Sequence, residues 1–229
     1  MIRLNKQIIN LAKNKSLSEH AILMCSMGVD SLAMTHYLLS NKGKYFETVI
    51  PLHINHNLRE ENQLMAESYE RFIRDKFPSI CSIIIKNPDK TLTTEDDFRK
   101  FRVRCLGNFS GKIIITAHHL NDFVESYLLN TIRGNPEYLP MPFYTYHKEQ
   151  DVVSCKPFCF NKKKDFIEYV EKHDLMKYVV EDSTNKVTKG SRRNLIRNEI
   201  LPILEREKVG LEKIVSKRMK ERLMLEVLK

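Results

Sequence analysis

The chain has 229 residues, a formal net charge of +9 and 42% hydrophobic residues, enough for one α/β domain with a real core and a small appendage. The N-terminal M-I-R-L-N-K-Q lacks the apolar stretch of a signal peptide, and no run approaches the ~20 apolar residues of a membrane span, so a cytoplasmic protein without a membrane partner is expected. Five scattered cysteines (Cys25, Cys81, Cys105, Cys155, Cys159) read as reduced thiols, and the C-x3-C spacing of the last two is poor for zinc or an iron–sulfur cluster.

Apolar and amphipathic runs alternate in chain order. Strands are predicted at Ala21–Cys25, Val49–Ile54, Ser82–Ile85, Ile113–Ala117 and Val152–Cys155. Helices are predicted at Ser31–Leu39, Glu61–Lys76, Glu95–Leu106, Asp122–Ile132 and Lys162–His173. Thr93 and Thr94, followed by acids at 95–97, form the cap and dipole signal of the third helix. Residues 134–150, with three prolines and three tyrosines, read as a long loop. From about Asn194 a basic helix and then a charged helical tail are expected, packed outside the sheet domain. The alternation predicts an α/β fold with a mostly parallel five-stranded sheet, helices on both faces and a small C-terminal helical appendage. The expected division is 1–190 for the sheet domain and 191–229 for the appendage. Ligands of such sheets bind at the carboxyl ends of the strands, so Ser26–Ser31, Asn55–Arg59 and Ala117–Asp122 should surround one crevice.

Three segments carry chemistry. The run S-M-G-V-D-S (Ser26, Met27, Gly28, Val29, Asp30, Ser31) joins a strand to a helix, where unpaired N–H groups and the helix dipole can cradle a phosphate. Gly28 is free to adopt a positive φ there. The run A-H-H-L-N-D-F-V-E-S places His118, Asp122 and Glu125 at helical spacing, and two carboxylates beside a cleft need a cation, either Mg²⁺ or an ammonium. Residues 186–198 carry five Lys/Arg and no acid, a cluster suited to a polyanion such as RNA. His53 and His56 are three residues apart, which on a strand puts them on opposite faces, and they read as polar strand-end residues.

These segments resemble the PP-loop ATP pyrophosphatases, whose signature is S-G-G-x-D-S, and within them the tRNA(Ile)-lysidine synthetases. The run L-H-I-N-H-N-L-R at 52–59 is similar to their H-V-N-H-G-L-R, residues 117–126 to their A-H-H-x-D-D-Q-x-E-T, and E-D-D-F-R-K-F-R to their E-x-x-A-R-x-x-R. Arg193, Asn194, Arg197, Leu201 and Pro202 match their R-N-x-I-R-x-x-x-L-P in order and spacing. The chain departs at Met27 and Asn57, where the family has glycine, and at Asn121, where it has aspartate; Met27 is expected to put a side chain near the phosphates.

The resemblance implies ATP-dependent ligation of lysine to C2 of a tRNA wobble cytidine. ATP would lie on Ser26–Ser31 with Asn55 and Arg59, and Mg²⁺ by Asp30. Lysine would be held by Arg99, His118, Asp122 and Glu125, with Asp30, Asp122 and Glu125 as the catalytic set. RNA would meet Arg192, Arg193, Asn194 and Arg197. The alternatives are another PP-loop tRNA modification, such as thiolation, or a non-catalytic nucleotide- or RNA-binding module.

Overall fold

Strands β1 (His20–Met24) and β4 (Ile113–Ile115) are short and apolar, and burial of both their faces drives them to the middle of a six-stranded sheet. The computed structural model describes residues 1–89, 91–92, 94–135, 141–181 and 191–228. The other strands are β2 (Thr48–Asn55), β3 (Ile83–Lys86), β5 (Tyr144–His147) and β6 (Val152–Cys155), in the order β3-β2-β1-β4-β6-β5. All neighbours are parallel except β5, which runs antiparallel to β6. The sheet therefore has six strands where five were expected. The added one comes from the presumed loop at 134–150: a hairpin pairs Tyr144 with Cys155 and His147 with Val152 at the sheet edge. Thr93 lies outside the described residues, as do parts of that loop and of the basic run.

Helices α1 (Lys6–Ser16), α2 (Val29–Ser40), α3 (Glu60–Lys76), α5 (Leu120–Ile132) and α6 (Lys163–Lys172) bury their apolar sides in one large core with Leu23, Ile115 and Val153. Helix α4 (Glu95–Leu106) and the turn Gly107–Phe109 cover the other face, where Leu106 and Phe109 meet Ile22, Leu52 and Ile114. The odd-numbered side chains of β1 thus serve one core and the even-numbered ones the other, as the strand pleat requires. Helix α1 was not anticipated, although Asn5 caps it by accepting the Ile8 N–H at 3.2 Å and Ile8, Ile9 and Ala12 form its buried stripe.

The C-terminal segment runs through α7 (Arg192–Leu195), a wide π turn (Ile196–Ile200), α8 (Leu201–Arg206) and α9 (Leu211–Val227). The wide turn has a local cause. Pro202 has no N–H to close a normal helical bond, and the N–H of Leu201 reaches back five residues to the Ile196 carbonyl. Ile196, Leu201, Val215, Met219 and Leu223 are buried in the same core as the central strands. Met219→Ala should accordingly cost about 2–5 kcal/mol, as for other buried methionines. Urea unfolding checks this; a shift near zero would mean that α9 does not hold to the core.

Candidate active site

The sheet order reverses between β1 and β4, with β2 on one side and β6 on the other. The turns leaving β1 and β4 flank the crevice expected there, at the carboxyl ends. The turn after β1 is tightly bonded. Ser31 Oγ donates to the Gly28 carbonyl at 3.0 Å, accepts the Ser26 N–H at 3.1 Å and lies 3.0 Å from Ser26 Oγ. Helix α2 starts at Val29, so the free donors of its first turn face the crevice end of the fold.

The left-handed residue of this turn is Met27 (φ 65°), while Gly28 has an extended backbone (φ −70°). The Met27 side chain, expected to project from the turn, does not do so. It is fully buried in the core, with Sδ 3.6 Å from Cys25 Sγ, and the Met27 carbonyl accepts the Val180 N–H at 3.0 Å. Asn57, the other departure from a family glycine, is also left-handed (φ 57°); it donates its N–H to Asn55 Oδ1 at 2.7 Å and its side-chain amide to Asn87 O at 3.2 Å. Asn tolerates this conformation better than most residues.

Across the crevice, the turn after β4 and the start of α5 carry a ladder of alternating charge. Lys163 Nζ, at the start of α6, donates to both oxygens of Asp30 at 2.8 and 2.7 Å. His119 Nε2 lies 3.6 Å from Asp30 and its Nδ1 3.4 Å from Asp122. Asp122 accepts the backbone N–H of His119 at 2.9 Å, which caps α5. Arg193 Nη2 donates to Asp122 at 3.4 Å and Nε to Glu125 at 2.9 Å. Arg197 donates from Nε and Nη2 to the two oxygens of Glu125, at 2.7 and 2.8 Å. Glu125 is 1% exposed, so both guanidiniums neutralise an anion removed from water.

This packing moves the titrations. Burial pushes Asp30 up, but His119 and then Lys163 more than offset it and hold its carboxyl low. Burial also opposes the low value of Asp122, and the charges of His119 and His118, the capping N–H and Arg193 outweigh it. For His119 burial acts downward, and Asp30 and Asp122 together raise it above the ordinary 6.5. Burial brings His118 down to about 4, so it is neutral at pH 7. Burial likewise opposes the charge of Arg197, which Glu125, then Asp122 and Asp30, more than restore.

The predicted residues separate into two groups. Ser26, Asp30, Ser31, Asp122, Glu125, Arg193 and Arg197 belong to the turn and the ladder. His118 precedes α5 and so is not on that helix with Asp122 and Glu125, although its charge acts on Asp122; its Nδ1 lies 2.9 Å from Thr116 Oγ1. Asn55 is buried and ties down its own turn, Arg59 is an exposed residue at the start of α3, and Arg99 is exposed on α4, where its charge acts on His147. Arg192 is exposed, and the Asn194 N–H is held by Ser191 Oγ at 3.2 Å. Asn121 turns from the acids: its Oδ1 accepts the Lys163 N–H at 3.0 Å and its amide reaches Glu212 of α9 at 3.4 Å. His119 and Lys163 were missed. The capping spacing of His119 to Asp122 was visible in the sequence, whereas Lys163 stood only as one of three lysines in a row.

A model of the PP-loop domain matches residues 2–204. The chain belongs to the PP-loop family. It is 34% identical to a tRNA(Ile)-lysidine synthase from Buchnera aphidicola subsp. Acyrthosiphon pisum over 88% of this chain and 44% of that protein. It is 28% identical to one from Thermotoga maritima over 82% and 45%. The chain thus spans about half the length of the curated relatives it matches. The U34-tRNA thiolase NcsA from Methanococcus maripaludis shares the fold, with a TM-score of 0.67 and 15% identity over 96% of this chain and 78% of that one. Among the described residues no helix is long and apolar enough to cross a membrane.

Two expectations test this geometry. Met27→Gly and Met27→Ala should both lose about 2–5 kcal/mol through the vacated core. The glycine variant should be the more stable by about 1 kcal/mol, because it relieves the left-handed backbone at some cost in unfolded-chain entropy. Chemical denaturation ranks the two, and a more stable alanine variant would contradict the turn geometry. The second concerns pH. His119 is raised, so its pairing adds stability that is complete below its unfolded value of 6.5 and is lost as pH climbs through the higher folded value. Asp30 and Asp122 are depressed, so their share is present above 3.8 and is lost as acid reaches their folded values. Asp30→Asn should lower the His119 pKa, read from its imidazole resonance by NMR, and flatten the stability loss on the alkaline side of 6.5.

Proposed function

We propose that the chain carries out the ATP-dependent ligation of lysine to C2 of the wobble cytidine of a tRNA, in the cytoplasm. The observation that carries this reading is the meeting of the phosphate-binding turn and the buried acids in one crevice, joined through Asp30, His119 and Asp122. The names of the half-matched relatives point the same way.

In this reading the N–H groups at the start of α2 and the Ser26 and Ser31 hydroxyls hold the triphosphate, with Lys163 beside it as a counter-charge and Asn55 and Arg59 at its margin. Mg²⁺ commonly takes one or two carboxylates and completes its shell with phosphate oxygens and water. Asp30 would be that carboxylate, at the start of α2 with both oxygens at present held by Lys163. The ion would supply charge neutralisation at the phosphates. The cytidine O2 attacks the α-phosphate, forming an O–P bond as pyrophosphate leaves. The lysine ε-amine, having lost a proton, attacks C2, and the C2–O bond breaks to release AMP. Asp122 and Glu125 place the amine, and neutral His118 lies within the field of Asp122. Arg192, Arg193, Asn194 and Arg197 serve the RNA phosphates. The 1–190 and 191–229 segments act as one catalytic body and its RNA-facing extension.

Thiolation finds less support. Burial raises the thiols of Cys25, Cys105 and Cys159, and that of Cys155 to about 12, which disfavours the nucleophilic thiolate. The deciding assay incubates the protein with ATP, labelled lysine and tRNA. Label should enter tRNA with the wild type, and Asp30→Ala should abolish incorporation with an unchanged circular-dichroism spectrum. ATP turnover on tRNA without any lysine dependence would replace this reading with another PP-loop chemistry.

A further inference from the structure

The family resemblance assigns Asp122 and Glu125 to an ammonium ion and Arg193 and Arg197 to RNA phosphate, yet in the folded chain these four side chains bind one another. Glu125 accepts three hydrogen bonds from the two guanidiniums and is 1% exposed. An ionised carboxylate offers about four lone-pair sites, so little acceptor capacity is left, and a third cation beside two guanidiniums would be repelled. An amine therefore reaches these acids only by replacing an arginine. A guanidinium leaving Glu125 needs another anion, and its planar fork suits a phosphate as well as a carboxylate. Such an anion is expected close by, since Arg197 already feels the charge of Asp30 at the start of α2.

We infer that Arg193 and Arg197 are exchange residues: they occupy the amine subsite in the ligand-free protein and transfer to a phosphate group when one arrives, opening Asp122 and Glu125 to an ammonium ion. Binding is then ordered, with the polyphosphate or RNA phosphate first and the amine second. The inference rests on the ligase reading for the identity of the amine, and on the hydrogen-bond geometry for the exchange. The segment that must move is suited to it. Both arginines sit on or beside the wide turn Ile196–Ile200, and such turns occur often at functional sites. The anion alone can draw a guanidinium away, but the exchange is fully compensated only when both new partners are present. Otherwise it leaves either Glu125 or a guanidinium without a counter-ion away from water. The two ligands must therefore help one another by the same factor.

The test is a calorimetric titration of L-lysine into the full chain, alone and with saturating inorganic tripolyphosphate, a non-hydrolysable ATP analogue, or a short RNA carrying the anticodon loop. The three additions separate a nucleotide source of phosphate from an RNA source. Lysine should bind at least about tenfold more tightly with at least one of them, and lysine should tighten that anion by the same factor. Hydrogen exchange in 192–206 should change with the anion and not with lysine alone. Arg197→Gln should bind lysine without the anion and lose most of the coupling. If that variant does not fold, the wild-type titration and exchange decide. Equal lysine affinity with and without every anion, or no lysine binding under any condition, overturns the exchange. Label incorporation into tRNA with no coupling overturns the exchange alone. Coupling without incorporation overturns the ligase reading and leaves the exchange standing.

Discussion

A carboxylate buried to the degree of Glu125 is costly beside Asp122 unless cations are brought to it, and the architecture around the crevice follows from that need. Glu125 is buried on α5 together with Phe123 and Val124, so its carboxylate is removed from solvent. The cations come from far along the chain, from α7 and the turn beyond it. Those arginines hold the C-terminal segment across the crevice, while Ile196, Leu201 and Met219 anchor it in the core. The segment after residue 190 is thereby tied to the sheet by charge and by apolar burial at once.

The same ladder couples the two ends of the crevice. Asp30 stands at the start of α2 and Asp122 at the start of α5, and each gains from the helix dipole and from the imidazole between them. The chain of charges from Lys163 to Glu125 makes the Asp30 end and the Glu125 end one electrostatic unit. A charge added at either end is felt at the other, through contacts of 2.7–3.6 Å.

The turns after β1 and β2 show how a backbone conformation tolerates substitution. Met27 and Asn57 replace family glycines and keep the left-handed backbone that glycine adopts at least cost. At Met27 the side chain points into the core, so the surface offered by the turn consists of Ser26, Gly28 and the N–H groups that follow. Asn121 is a comparable case: facing α6 and α9, it holds two helix starts in place and leaves Asp122 and Glu125 as the acids of the site.

Much of this was legible in the sequence because it is local. The strand–turn–helix units, the parallel sheet, the Ser26–Ser31 turn and the spacing of Asp122 and Glu125 follow from hydrophobic period, capping and motif order, which act over a few residues. Strand β5 was not legible, because Tyr144–His147 is stabilised by its pairing with β6 and not by its own composition. The need of the two acids for a cation was legible as well, but the identity of that cation was not. Arg193 and Arg197 lie 68 and 72 residues from Glu125, and read along the chain they form part of a basic run that counts toward a charged surface. Only the tertiary fold brings α7 over α5 and turns those two charges inward, because pairing depends on distance in space and burial sets how strongly it is required. The side on which Met27 points was decided in the same way, by the volume left in the core beneath the turn.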